Sequence, residues 1–273
     1  MTENIFFPHL HIYLHNVGKS ISIGGFTIAY YGLIIACGMI LATIMVRQIA
    51  RRTGQDPDDY LNLAIMGIII SVIGARIYYV VFSWDLYKDH PIDILNLRQG
   101  GLAIYGGVIG AVLSAILYAK IKKIKLGLLV DTAAPGLILG QIIGRWGNFF
   151  NREAFGAETA SFLRMGLTTP EGETIYVHPT FLYESVWNLI GLFFLIIFTK
   201  KHRNRYDGQC FLIYLFWYGL GRAWIEGLRT DSLYLGSTGI RISQLLSILL
   251  VLIAGVLLIL GRKKKWHRTT KTS

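Results

Sequence analysis

Apolar runs of about 18 to 23 residues, each long enough to cross a bilayer as a helix, recur seven times along this chain. They cover residues 24–46, 61–82, 101–119, 126–143, 180–199, 210–228 and 240–260. In hydrocarbon every backbone N–H and C=O must be satisfied internally, which selects helices or closed barrels, and runs of this length select helices. The predicted class is therefore all-α: a polytopic transmembrane bundle of about seven helices, forming a single integral membrane domain over residues 1–273. A mean hydropathy of +0.49, above what a soluble domain of this length reaches, agrees with that reading.

Charge orients the bundle. Seventeen of the 27 Lys and Arg residues fall in one set of connections, around 47–52, 120–125, 200–205 and the tail from Arg262. Eight fall on the opposite side: Lys19, Lys88, Arg98, Arg145, Arg152, Arg164, Arg229 and Arg241. The richer side is cytoplasmic by the positive-inside rule. The N-terminus is then outside and the C-terminus inside, and the long connection 145–179, a loop or small cap between helices 4 and 5, is extracytoplasmic. The same rule accounts for the net charge of +11, so nucleic acid is not an expected partner. The tail from Arg262 to Ser273 serves as an anchor on the inner side, facing membrane lipids.

The first residues, Met1 to Ser20, lack a basic n-region and a clean apolar h-region, so the first run reads as a retained helix. Cys37 and Cys210 lie in different spans and suit no metal spacing; they read as small side chains without a bond between them. His9, His11 and His15 also lack a metal-ligand spacing, and with Phe6, Phe7 and Tyr13 they read as an interfacial segment. Pro170-Glu171-Gly172-Glu173 reads as an exposed turn. No metal and no organic cofactor is expected.

Small residues recur every fourth position in the middle spans: Gly106, Gly110 and Ser114 in one ridge, Gly136, Gly140 and Gly144 in another. Such ridges let helices approach closely in lipid. Pro135 removes an intrahelical hydrogen bond and bends the fourth span.

Ionisable groups inside a membrane cost at least about 2.5–3.5 kcal/mol each and mark function by default. Here they are Arg76, Asp131, Glu184, Arg222 and Glu226. At about 1.5 Å per residue, Glu184 lies about one turn below the outer end of its span. Arg76 lies about two turns below the outer end of its span, Arg222 and Glu226 lie within about two turns of theirs, and Arg145 and Arg229 sit at outer helix ends. Arg222 and Glu226, four residues apart, face the same way. Asp131 lies nearer the other side and reads as a packing contact. Four helices thus bring charge to one depth, with more guanidinium than carboxylate. Surplus arginine at that depth calls for an anion, and a phospholipid phosphate, which Arg grips bidentately, is the abundant one.

The segment Gly144-Arg145-Trp146-Gly147-Asn148-Phe149-Phe150-Asn151-Arg152-Glu153-Ala154-Phe155-Gly156 closely resembles the G-R-x-G-N-F-x-N-x-E-x-x-G motif of bacterial prolipoprotein diacylglyceryl transferases. Shorter pieces agree in the same order: Tyr31-Gly32, Gly74-Ala75-Arg76, Gly100-Gly101, Asp131, His178-Pro179-Thr180 with Leu182-Tyr183-Glu184, and Arg222 to Glu226 with Arg229 and Asp231. The resemblance spans essentially the whole chain. It implies transfer of the diacylglyceryl group of phosphatidylglycerol to the cysteine thiol of a prolipoprotein, recognised with its signal peptide. A thioether forms and glycerol phosphate leaves, in the bacterial plasma membrane at the outer leaflet.

The resemblance also implies roles. Arg145 and Arg222 bind the phosphate and stabilise it as it departs. Glu226 orients Arg222 or receives the thiol proton, with Glu184 the alternative base. Asn148, Asn151 and Glu153 shape the headgroup site, Tyr31 and Tyr105 hydrogen-bond substrate, and Arg76 and Arg229 support the site. Tyr105 stands where many members carry His; a phenol with a pKa near 10 is a poor base, which leaves it a hydrogen bond or hands proton transfer to a carboxylate. The alternative function is a transporter or flippase for an anionic phospholipid. It would use the same arginines but needs polar residues continuing to the inner side.

Overall fold

Local signals start the helices where physical chemistry expects them. Asp56 caps α2 (Pro57–Phe82) by accepting the N–H of Asp58 at 2.9 Å. Pro57 sits where a missing N–H costs nothing, and Asp58 and Asp59 lie in the first turn, at the positive end of the helix dipole. The computed structural model describes residues 4–97, 100–169, 172–202, 206–236 and 238–263. The turn predicted at Pro170 and Glu171, the basic residues Arg98, Arg203 and Arg205, and the tail beyond Lys263 lie outside the described residues.

The other helices are α1 (Tyr30–Thr53), α3 (Ile104–Lys122), α4 (Leu126–Asn151), α5 (Thr180–His202), α6 (Gln209–Ile225) and α7 (Ile242–Lys263). Six of the seven are long and apolar enough to cross a membrane; α6, with 17 residues, is the shortest and runs on into a 3-10 turn at Glu226–Leu228. The all-α bundle is thus present. Three ends differ most from the apolar runs, one being that α1 continues past Val46 to Thr53, so Arg47, Arg51 and Arg52 are helical. α1 begins at Tyr30 rather than near residue 24, because two short strands precede it, β3 (Ser20–Ile23) and β4 (Phe26–Ala29). α4 continues to Asn151, so Arg145, Asn148 and Asn151 are helical and the connection to α5 starts later than residue 145.

The chain divides into two compact units, Thr43–Ala133 and Met1–Ala42 with Ala134–Ser273. In the first, α2 packs on α3 through glycine. A Cβ on Gly110 would stand 2.6 Å from the Ile70 carbonyl oxygen, and one on Gly106 would meet the Gly74 carbonyl and the Tyr78 side chain. Gly106, Gly110 and Ser114 are all buried, as their spacing requires. Val46, Ala50, Tyr60, Tyr118, Ala119 and Leu129 form an apolar cluster in this unit. Tyr118 donates to Asp59 at 2.9 Å, and Lys122 pairs with Asp59 at 3.1 Å.

In the second unit the N-terminal part of α1 lies along α4: a Cβ on Gly38 would stand 3.6 Å from the Gly140 carbonyl, and one on Gly144 3.3 Å from Ile35. Pro135 lies inside α4 and is fully buried. α6 packs between α5 and α7. A four-stranded antiparallel sheet, ordered β2-β1-β5-β6, joins β1 (Ile5–Phe7), β2 (Ile12–Leu14), β5 (Met165–Thr168) and β6 (Thr174–Val177). Ile5, Phe7, Met165, Leu167 and Val177 bury against Phe149 at the end of α4 and Phe181 at the start of α5. The small cap expected between helices 4 and 5 therefore includes the N-terminal segment, whose strands are too short to stand out in an aromatic-rich stretch.

Replacing Gly106 with valine is expected to force α2 and α3 apart and cost about 1–3 kcal/mol, the usual penalty for overpacking. A lowered thermal midpoint of the purified protein in detergent would register it; an unchanged midpoint would show that the helices can part without loss.

Candidate active site

Two tryptophans set the register of α5 against α6. Trp187 donates its indole N–H to the Trp217 carbonyl at 3.0 Å, and Trp217 returns the bond to the Trp187 carbonyl at 2.9 Å. Their rings stack with centroids 4.7 Å apart. Each indole fills the space beside a glycine of the facing helix, Trp217 at Gly191 and Trp187 at Gly221, where a Cβ would collide with it. With this register fixed, Glu184, one turn before Trp187, meets Arg222, next to Gly221.

The result is a chain of alternating charges. Arg145 Nε lies 2.6 Å from Glu184 Oε2, Glu184 Oε1 lies 2.5 Å from Arg222 Nη1, and Arg222 Nη2 lies 2.5 Å from Glu226 Oε2. Both glutamates are buried. The last contact is Coulombic rather than a well-directed hydrogen bond, since Glu226 Oε2 has no donor aligned on it. Glu226 Oε1 accepts the Ser232 hydroxyl at 2.8 Å, and the Glu226 carbonyl accepts Arg241 Nη1. In a low-dielectric setting such pairing is what allows the charges to be buried at all.

This arrangement corrects the arithmetic of the sequence reading. Two guanidinium groups alternate with two carboxylates, and Arg229 has its own partner, so no excess of arginine over carboxylate remains among these residues. What remains is donor capacity. Arg145 spends only Nε on Glu184, and its two terminal nitrogens have no partner among the described residues. The Arg145 side chain is 22% exposed, so that fork is not sealed inside the bundle.

The end of α4 is shaped around this arginine. Tyr31 of α1 packs on Gly147, whose Cβ would stand 2.7 Å from the ring. Asn148 donates to Glu153 at 2.9 Å, bridging the end of the helix. Arg152 and Ala154 both adopt left-handed backbone, with φ of 53° and 55°, a conformation that costs a side-chain-bearing residue and persists only where the surroundings enforce it. The enforcement is visible. Buried Arg152 donates to the Phe150 and Val17 carbonyls, and Thr180 donates to the Ala154 carbonyl. Gly156 donates to the His178 carbonyl at 2.9 Å, and Ala157 to Leu228 at 2.9 Å. A Cβ on Gly156 would stand 2.7 Å from His178 and 2.8 Å from the Leu228 carbonyl, so only glycine fits. The loop after α4 is thereby stapled to the approach to α5 and the exit from α6. Asn151 ends the helix half-buried.

Arg229 grips Asp231 bidentately, at 2.9 and 2.7 Å. That hydrogen bonding holds the Asp231 carboxyl below the usual carboxylate range. His178 lies 3.2 Å from the Tyr183 hydroxyl, and burial lowers its pKa from the ordinary 6.5.

Arg76 and Tyr105 belong to the unit Thr43–Ala133. Arg76 donates to five carbonyls, Ile94, Gly100, Gly101, Asp93 and Asn96, at 2.7 to 3.2 Å. All five of its N–H groups are taken, leaving none for a phosphate. Arg76 thus clasps the connection between α2 and α3. Gly100 and Gly101, with φ of 83° and 76°, turn their carbonyls to it. Tyr105 stands in the first turn of α3, its ring 6.4 Å from Tyr78. Asp131 is buried in the same unit. Ser232 and Arg241 were not legible as site residues, since no periodicity links a loop serine to Glu226. Among the described residues no three of His, Cys, Asp and Glu converge as a metal group.

Apolar spanning helices carrying a buried chain of alternating charge make this a multi-pass membrane protein. The sequence model of prolipoprotein diacylglyceryl transferases matches residues 19–260. Proteins named phosphatidylglycerol–prolipoprotein diacylglyceryl transferase from Bacillus cytotoxicus, Bacillus cereus and Bacillus anthracis are 44%, 43% and 43% identical over 251 residues, covering 89% of this chain and 92% of each relative. The chain belongs to the prolipoprotein diacylglyceryl transferase family.

Two outcomes follow from the geometry. Glu184→Ala leaves Arg145 and Arg222 facing each other without their shared carboxylate, and should cost about 3–5 kcal/mol, read as a fall in thermal midpoint. Because the folded pKa of His178 is lowered, its contribution to stability is complete above the ordinary 6.5 and is lost as pH falls through that value, where the unfolded chain takes up the proton first. A His178→Gln variant should therefore show a flatter decline in thermal midpoint between about pH 7 and 5; an identical slope would remove His178 as a cause.

Proposed function

We propose that this protein is a transferase that moves the diacylglyceryl group of phosphatidylglycerol to the cysteine thiol of a prolipoprotein, the first step of lipoprotein maturation. Family membership and 44% identity to a phosphatidylglycerol–prolipoprotein diacylglyceryl transferase support the reaction. The single structural observation that carries the site is the open fork of Arg145, anchored through Nε by buried Glu184.

In the proposed reaction, sulfur attacks the glycerol carbon that bears the phosphate ester. The C–S bond forms as the C–O bond breaks, the electron pair leaves with glycerol phosphate, and the thiol proton passes to a carboxylate. Arg145 engages the phosphate through its two terminal nitrogens, bidentate and charge-assisted. Arg222, pinned between Glu184 and Glu226, supplies a second positive charge that cannot swing away, and needs no reorganisation as the leaving group gains charge. A thiol with pKa about 8.5 is mostly protonated at neutral pH, so a proton acceptor is required. Glu226 takes that role, with Glu184 the alternative. Asn148, Asn151, Glu153 and Tyr31 border the headgroup, and Arg229 and Asp231 brace the exit of α6. The distribution of basic residues supports an outer-leaflet position for this end of the bundle in the bacterial plasma membrane, where donor lipid and precursor signal peptide would meet.

Purified Arg145→Ala and Arg222→Ala variants should each lose about a hundredfold or more of transfer, the scale for removing one charge-stabilising donor. Mass spectrometry of a precursor peptide incubated with phosphatidylglycerol reads the gain of one diacylglyceryl group. Near-normal turnover in either variant removes that arginine from the site, and lipid movement without peptide modification points to a flippase.

A further inference from the structure

The β3–β4 hairpin is a free-standing two-stranded sheet with one apolar face. Its register pairs Ser20 with Ala29, Ile21 with Ile28, Ser22 with Thr27 and Ile23 with Phe26. Opposed residues share a face and successive residues alternate. Ile21, Ile23, Phe26 and Ile28 therefore lie together on one side, and Ser20, Ser22, Thr27 and Ala29 on the other. The polar side is internally bonded, with Ser22 Oγ 3.1 Å from Thr27 Oγ1. The turn is Gly24-Gly25 with φ of 57° and 84°, the tight two-residue connection that fits the twist of a hairpin. Phe26 at the tip is 78% exposed and Ile23 61%.

Such a hairpin is at best marginal in water, and an uncovered apolar face adds to the cost. Its position identifies the cover. β4 passes into α1 without a linker, Ala29 being the last strand residue and Tyr30 the first helical one, and Tyr30 donates its N–H to the Lys19 carbonyl at 2.9 Å. The hairpin is thus fixed to the end of a membrane span. It leads into a helix whose Leu33, Ile40, Leu41 and Ile44 are exposed. Lys19 and two tyrosines mark that junction, as residues at a lipid–water boundary do.

We propose that the face formed by Ile21, Ile23, Phe26 and Ile28 lies against the lipid leaflet at the N-terminal end of α1, sunk into the boundary between headgroups and acyl chains. Tyr31, two residues beyond the hairpin, is the residue packed on Gly147. On the transferase reading above, this places a lipid-holding surface at the wall of the donor site, so the hairpin tethers the leaflet at the level of Arg145.

Two experiments on the full-length protein in phosphatidylglycerol-containing nanodiscs separate the hairpin from the reaction. An environment-sensitive fluorophore on cysteine at position 23 or 26 should be quenched by a nitroxide placed high on the lipid chains. The same label at position 22 or 27 should be quenched by aqueous iodide instead. Iodide quenching on both faces would overturn the proposal. So would labels at 23 and 26 that neither reagent reaches until a signal peptide is removed, since that face would then be a precursor dock. Phe26→Asn with Ile23→Asn should raise KM for vesicle-borne phosphatidylglycerol at least fivefold, with kcat and the turnover of a short-chain, detergent-dispersed donor unchanged. Equal kinetics in vesicles would overturn the link to donor capture. A wild-type protein with no transfer would sink the functional reading and leave the depth measurement standing.

Discussion

A carboxylate buried at membrane depth must be neutralised where it stands, and Glu184 is neutralised by two guanidinium groups from two other helices. That requirement ties α4, α5 and α6 together at one end, because any helix that slips strands a charge. The cost of stranding is larger than the worth of most apolar contacts in a bundle whose outer solvent is as apolar as its interior. Glu226 extends the constraint to the chain leaving α6, through Ser232 and the Arg241 contact with its carbonyl. Charges that look expensive one at a time are, as a chain, the device that fixes where helices end.

The loop after α4 carries that constraint into the backbone beyond the helix. Left-handed backbone at Arg152 and Ala154 would be unfavourable in an unsupported turn. Here Val17, Phe150, Thr180, His178 and Leu228 each take or give a hydrogen bond to hold it. Strain in this segment is offset by five attachments, and the return is that Asn148 and Glu153 are presented together beside Arg145. Gly156 belongs to the same economy of space, admitting two other segments against its backbone.

Much of this was legible in the residues. Spans follow from length and hydropathy, the α2–α3 contact from Gly106, Gly110 and Ser114, and the meeting of Glu184, Arg222 and Glu226 from depth and four-residue spacing. The failures have physical causes. The turn and second strand of the hairpin read as the start of an apolar span, because Phe26, Ile28 and Ala29 run into α1 without a polar break. The four-stranded sheet pairs segments more than 150 residues apart, and three-residue strands carry almost no periodic signal. The carbonyl cluster around Arg76 was not legible, because a guanidinium saturated by carbonyls has the same sequence signature as one awaiting a phosphate. Charge counting likewise missed that Arg229 closes on Asp231.

The exchanged indoles of α5 and α6 carry a consequence for how such a protein can vary. Each tryptophan occupies volume forbidden to a side chain on its neighbour, so positions 187, 191, 217 and 221 form one interlocked set. Enlarging a glycine evicts an indole, and shrinking an indole opens a void and removes a hydrogen bond between the helices. Neither half offers a neutral first step. Divergence is therefore channelled to the surrounding lipid-facing positions, and the seam between these two helices is held still while the rest of the bundle drifts.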